Sequence, residues 1–372
     1  MKSPSRTLLG LGAGVAAAGV GAALGLAAER WTVGRGSGPH SAEAFGSLRG
    51  VPQRVLADDG TTLYAEVDDL DVTGSGIATG PSGGPVGGPA AEPAITVVFS
   101  HGFCLDQDMW HYQRHWLRGR YRLVFWDQRG HGRSSGGPRE HYTLDQCAAD
   151  LRAVIEATAP TGPLVLVGHS MGGMTIMALA GEQPDLVRER VVGVALVATS
   201  AGGLAQVHWG LAGQVGRLAH RLAPPALNGL TRTPRLVERS RRAGSSIEQL
   251  LVRRYSYASP VSPELVRFTA GLIAATPIDV VAAFMPKFDL HDEAESLAAL
   301  DGIESLVLSG DEDLLTPLDH SEAIVHRLPG AEHVVLQEAG HLVMLEHPDT
   351  VNLHLGDLLD RVDRAVRSSR AR

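Results

Sequence analysis

The stretch that most limits what this chain can fold into covers residues 164–173. Leu164-Val165-Leu166-Val167 is followed at once by Gly168-His169-Ser170-Met171-Gly172-Gly173, and then by a segment that reads as helix. The apolar run is short and rich in branched side chains, which suits a strand buried on both faces. Gly168 and Gly172 flank Ser170 closely, and a sharp strand-to-helix turn leaves no room there for a Cβ. Such a turn lifts Ser170 Oγ clear of the sheet edge. It also points the backbone N–H of Met171 towards the place where a negative charge would develop. Taken alone, Gly-x-Ser-x-Gly also fits an ordinary tight turn with a solvated serine. The strand before it and three further matches along the chain separate the two readings.

A chain of 372 residues can form one large α/β domain with an insertion, or two small domains. Its net charge of −8 is mild and spread out, so no nucleic-acid partner is expected. Cys104 and Cys147, its two cysteines, could be thiols or one disulfide; either way disulfides do not hold the fold together. No Cys/His cluster has zinc-ligand spacing and His-Glu-x-x-His is absent, so no metal is expected. No Gly-x-Gly-x-x-Gly opens a helix after a strand, so no nucleotide cofactor is expected either.

Residues 1–35 stand apart. Lys2 and Arg6 precede an uncharged run over residues 7–28, followed by Glu29, Arg30 and Arg35. The run is about long enough to cross a bilayer as a helix, though rich in Gly and Ala. It reads as an uncleaved signal-anchor, with a cleaved secretory signal and a buried or disordered helix as the other readings. The expected location is accordingly the cell membrane, held by this anchor, or outside the cell after secretion. Positive residues flank both ends, so the orientation is poorly determined.

Residues 36–200 read as the first part of a βα-alternating core. Alternating residues 53–56 and 62–67 surround Asp58-Asp59-Gly60, a hairpin at the antiparallel edge of a mixed sheet. Residues 71–93, dominated by Gly, Pro, Ser and Ala, read as a flexible surface loop. Buried strands are expected over residues 95–100, 121–126 and 191–197. A helix over residues 144–158 is expected with Thr143 as its N-cap. Strand patterns vanish over residues 201–293, where helical stretches are broken by Pro and Gly and Arg is frequent. Residues 294–372 resume the core, with strands over 303–310 and 332–337 and an amphipathic helix over 349–364.

Three motifs accompany these strands. His101-Gly102-Phe103 ends the strand over 95–100. Asp127-Gln128-Arg129-Gly130-His131-Gly132-Arg133-Ser134 follows the strand over 121–126. Gly310, Asp313 and Pro317 follow the strand over 303–310 in the pattern Gly-x-x-Asp-x-x-x-Pro, and Ala339-Gly340-His341 follows the last strand. Together with the Ser170 turn they resemble the α/β-hydrolase superfamily, over roughly residues 50–365. The resemblance implies a mostly parallel central sheet flanked by helices, with a helical lid inserted over 201–293.

The resemblance also assigns roles. Ser170 is the nucleophile, His341 the general base and acid, and Asp313 the residue that orients His341. Asp311, two residues nearer its strand, competes with Asp313. The backbone N–H groups of Phe103 and Met171 form the oxyanion hole. His101 is structural, Cys104 lines the pocket as a thiol, and His347 is structural. Asp127 and Arg129 share an internal charge-assisted network that holds their loop. The function implied is a serine esterase, lipase-like, acting on a small-molecule or lipid ester. A lipid or lysophospholipid substrate draws support only from the anchor and the Arg-rich 201–293 segment, which could equally be an ordinary solvated face. The same fold serves C–C bond hydrolases, lactonases, amidases and haloperoxidase-like perhydrolases. A binding protein that reuses the pocket, or an envelope scaffold, remains the non-enzymatic alternative. Ser at 170 argues against epoxide hydrolases and dehalogenases, which need a carboxylate nucleophile.

Overall fold

In the computed structural model the described residues are 44–70, 95–207 and 245–370. The expected anchor over 7–28, the loop over 71–93 and part of the 201–293 segment lie outside them. Strands β1 (Val51–Leu56) and β2 (Thr62–Asp68) form the expected antiparallel hairpin. Its turn is closed by Asp59, whose Oδ1 accepts from Thr61 N at 2.9 Å. Six further strands follow: β3 (Thr96–Ser100), β4 (Arg122–Asp127), β5 (Leu164–His169), β6 (Val191–Val197), β7 (Glu304–Gly310) and β8 (Glu332–Leu336). They form one eight-stranded sheet in the order β1-β2-β4-β3-β5-β6-β7-β8. β2 meets β4 antiparallel, and every pair beyond it is parallel.

The continuous apolar runs become the central strands because both of their faces are covered. Every residue of β3 and β5 is buried, whereas β1, at the sheet edge, is mostly exposed. Alternate side chains serve two cores. Val98, Leu164 and Leu166 pack on one face under helices α2 (Leu144–Thr158) and α3 (Met171–Glu182). Val97, Phe99, Val165 and Val167 pack on the other with α1 (His111–Leu117) and the C-terminal helix. Thr143 caps α2 as expected, its Oγ1 accepting from Gln146 N at 3.1 Å. After α4 (Pro184–Arg190) and β6, the described chain adds no strand to the sheet until β7, and its α-helices are α5 (Ser245–Ser256), α6 (Pro263–Ala275) and α7 (Ile278–Phe288). Helices α8 (Leu318–Arg327), α9 (Val343–Glu346) and α10 (Pro348–Arg370) complete the chain.

Two expectations are corrected here. α10 runs past residue 364, because nothing from Arg364 to Arg370 breaks a helix and its last turns are solvated. Asp127 and Arg129 do not share a network. Asp127 accepts from Gln107 N at 2.9 Å and Arg133 N at 2.8 Å. Arg129 points elsewhere, bidentate to Asp150 at 2.7 Å on both oxygens and to Asp59 at 2.9 Å. Asp127 closes the loop on itself and ties it to the chain after β3, whereas Arg129 ties it to the hairpin and α2. No single described helix is long and apolar enough to cross a membrane.

Candidate active site

The turn between β5 and α3 is as sharp as its glycines suggest. Ser170 adopts φ 50° and ψ −117°, a conformation costly for a residue with a side chain. The surroundings hold it there. Ser170 N donates to Val197 O at 3.0 Å, and the Ser170 carbonyl accepts from Thr199 Oγ1 at 2.7 Å. A Cβ on Gly168 would lie 2.5 Å from the Gly172 carbonyl oxygen, and one on Gly172 would collide with that of Ser100. Both positions therefore admit only glycine, and β3, β5 and α3 meet main chain against main chain.

Asp313 follows β7 and His341 follows β8, at the same edge of the sheet. His341 Nδ1 lies 2.7 Å from Asp313 Oδ2, and both residues are buried. Asp313 Oδ1 accepts from Leu315 N at 2.8 Å and Thr316 N at 3.0 Å, and Oδ2 accepts from Thr316 Oγ1 at 2.8 Å. The competitor Asp311 holds main chain instead. Its Oδ1 accepts from Ala339 N at 3.2 Å and so braces the loop that carries His341.

Three residues that hold the imidazole escape a reading of the sequence. Thr316 fixes the Asp313 carboxylate. His169 donates Nε2–H to the His341 carbonyl oxygen at 3.0 Å. Glu346 accepts from Gly340 N at 2.7 Å with Oε2, and from Ala258 N at 2.8 Å and Ser259 Oγ at 2.7 Å with Oε1. Glu346 thereby joins the His341 loop to the chain that leaves α5, and Leu342 N repeats the link by donating to Ser256 O at 2.9 Å. Only His169 carried a hint, its place inside the elbow motif.

Ser170 and His341 line one cavity of about 230 Å³. Its walls are mostly apolar: Phe103, Leu105 and Met174 come from the core, and Ile273, Met285 and Phe288 from α6 and α7. Phe103 sits edge-on to Phe288 with ring centroids 5.0 Å apart. Cys104 is not on this wall, contrary to expectation; the chain turns at φ 58° there and Leu105 takes the place. No disulfide joins Cys104 and Cys147. Met171 is fully buried at the start of α3, and Phe103 follows β3, so the two expected oxyanion donors open from adjacent strands. His101 is fully buried, and burial, then the neighbouring His131, push its pKa down to about 3, so it stays neutral. His347 lies outside the cavity with Nε2 3.3 Å from the Glu338 carbonyl oxygen. Among the described residues no group of His, Cys, Asp and Glu is placed to hold a metal ion.

Comparison with known proteins gives the family. A family model described as alpha/beta hydrolase fold matches residues 95–348. The chain is 31% identical over 268 residues to the dihydrolipoyllysine-residue acetyltransferase component of the acetoin cleaving system of Cupriavidus necator, covering 71% of this chain and 64% of that protein. It is 26% identical over 265 residues to the pimeloyl-[acyl-carrier protein] methyl ester esterase of Aeromonas hydrophila, covering 68% of this chain and 90% of that one. A thermophilic esterase from Thermogutta terrifontis is similar in structure, with a TM-score of 0.60 and 25% identity over 84% of this chain and 98% of that one. The family match takes in the elbow and the loops of Asp313 and His341: the chain belongs to the α/β-hydrolase fold family.

Proposed function

We propose that the protein is a serine hydrolase that cleaves a carboxylic ester by way of an acyl-enzyme. The observation that carries this reading is the 2.7 Å contact of His341 with Asp313 on the wall of the cavity that Ser170 also lines. A serine hydroxyl attacks a carbonyl only when a base takes its proton. With Nδ1 committed to Asp313, Nε2 of His341 is the nitrogen left to accept the Ser170 proton. Ser170 Oγ then bonds to the carbonyl carbon, and the N–H groups of Phe103 and Met171 hold the resulting oxyanion. His341 returns the proton to the leaving alcohol, and the same steps with water free the acid. Asp313, fixed by Thr316 and Leu315, stabilises the transient imidazolium.

The apolar walls favour an uncharged, apolar group on the ester. In this reading α5, α6 and α7 belong to a lid over residues 201–293 that roofs the site and selects the substrate. Residues 7–28 would tether the enzyme to a membrane, which would bring lipid esters within reach. Fractionation of the full chain beside a chain lacking residues 1–35 tests the tether, which fails if both remain in the soluble fraction.

Labelling by a fluorophosphonate probe, beside Ser170→Ala, tests the chemistry. Labelling that vanishes in the variant supports an activated Ser170, and p-nitrophenyl esters of graded acyl length would then report the preferred chain. A folded protein that resists the probe and spares every ester would move the assignment to a binding protein on the same fold.

A further inference from the structure

We infer that Gln128 is a positioning residue for the oxyanion hole, coupling the two main-chain segments that carry its donors. This rests on the reading above, in which those donors are Phe103 N–H and Met171 N–H. Gln128 lies beyond the end of β4, is fully buried, and lines no part of the cavity. Each end of its amide holds one segment. Nε2 donates to the carbonyl oxygen of His101 at 2.6 Å, and Oε1 accepts from Thr175 Oγ1 at 2.8 Å. The Thr175 hydroxyl is also 2.9 Å from the Met171 carbonyl oxygen, so its one proton is shared between two acceptors. A single amide therefore spans from the chain entering Gly102-Phe103 to the first turn of α3.

The main chain of Gln128 acts on the same donor by a second route. Its N–H donates to His101 Nε2 at 2.8 Å. That nitrogen must be the lone-pair nitrogen, which places the ring proton on Nδ1. Nδ1 lies 2.7 Å from the Gly102 carbonyl oxygen, an acceptor only. This carbonyl and the Phe103 N–H belong to one planar peptide and point in opposite directions. Pinning the carbonyl thus aims the N–H. On the other segment, the Ser170 carbonyl shares its peptide with Met171 N–H and is pinned by Thr199 Oγ1 at 2.7 Å. Each donor is aimed by a bond to its own peptide, and Gln128 sets the distance between them.

A donor displaced by a fraction of an ångström still binds substrate but serves the tetrahedral state poorly. Gln128→Met keeps the length and removes both hydrogen bonds. Its kcat on a p-nitrophenyl ester is expected to fall about 10- to 100-fold with KM within about twofold. Affinity for an alkylboronic acid, which places an anionic oxygen in the hole, should fall by the same factor. Gln128→Glu adds a pH signature: protonated, it restores donor and acceptor, so its activity relative to the parent should rise on acidification.

A folded Gln128→Met with kcat and boronate affinity within about twofold of the parent would overturn the inference. Should that variant not fold, Thr175→Val cuts the same bridge with little change of shape, and the same two readings decide. Probe labelling keeps this separate from the parent reading. A parent that resists fluorophosphonate removes the serine hydrolase assignment and this inference with it. A labelled parent with an unaffected bridge variant removes this inference alone.

Discussion

The ring of His169 and the main chain of His341 form one unit: Nε2 of His169 lies 3.0 Å from the His341 carbonyl oxygen. A carbonyl can only accept, so Nε2 carries the proton and Nδ1 is the lone-pair nitrogen. Nδ1 is buried against Gly102, with no partner among the described residues. Burial first, and then the neighbouring His341, hold the His169 pKa well below the usual histidine range, so the ring stays neutral. The residue before the candidate nucleophile thus carries the loop of the candidate base. His169→Leu strands a buried carbonyl and should cost about 1–3 kcal/mol, read as a lower urea midpoint. Its kcat should fall more than its KM changes, since His341 loses orientation before substrate loses contacts.

Asp313 and Asp311 are two residues apart and are separated by function in one comparison. Asp313→Asn presents an amide to His341 Nδ1 and favours the wrong tautomer, so kcat should drop by about 10⁴-fold. Asp311→Asn retains an oxygen for Ala339 N and should keep kcat within about fivefold. Steady-state kinetics with both variants checks the assignment, and equal losses would return Asp311 to contention.

Ser170 stores backbone strain that glycine does not feel. Ser170→Gly should raise the unfolding free energy by about 1–2 kcal/mol while abolishing probe labelling. Urea denaturation of parent and variant reads the first effect. A variant less stable than the parent would mean that the elbow is not strained.

The part of stability that comes from two carboxyls with raised pKa values should fall between about pH 4 and pH 7, against an opposite rise from His101, His131 and His169, whose pKa values burial holds down. Asp127 is raised to about 7, by burial first and then by the charge of Asp106. Asp106 is raised to about 6, by burial and then Asp108. Both folded values exceed the unfolded carboxyl value of about 4, so the stabilisation is full below that value and is lost as pH rises through the folded pKa. Asp59 works in the other direction. Burial pushes it up, but hydrogen bonds from Arg129 and His141 outweigh that and hold it well below the usual carboxylate range. Its contribution is present above about pH 4 and lost in strong acid, outside this window. The histidine contributions are common to both proteins, so the urea midpoint of Asp127→Asn minus that of the parent should increase from pH 5 to pH 8, and a constant difference would contradict the raised Asp127 pKa.

Much of this was legible in residue order because the α/β alternation is written locally. The fully apolar run at β5, the N-cap Thr143 and the turn residues of the β1–β2 hairpin each specify their element from neighbours within a few positions. The elbow is legible for the same reason: two glycines next to a serine after a buried strand leave few other conformations. The loop after β4 shows where such reading ends. Asp127 and Arg129 are two residues apart and charge-complementary, yet they serve different partners, because successive turns of the loop point them to opposite sides.

Residue order alone specifies which elements form and which side chains stand at their ends: Ser170, Asp313 and His341 each follow a strand, and a parallel sheet brings strand ends to one edge. Packing across the folded chain set Asp313 rather than Asp311 against His341 Nδ1, removed Cys104 from the cavity wall, and brought His169, Glu346 and Gln128 to the loops that carry the candidate chemistry. The reason is physical. Secondary structure follows from interactions a few residues apart, whereas the partner of a buried polar group is set by whichever donor the packed chain leaves within 3 Å or so, often from more than a hundred residues away.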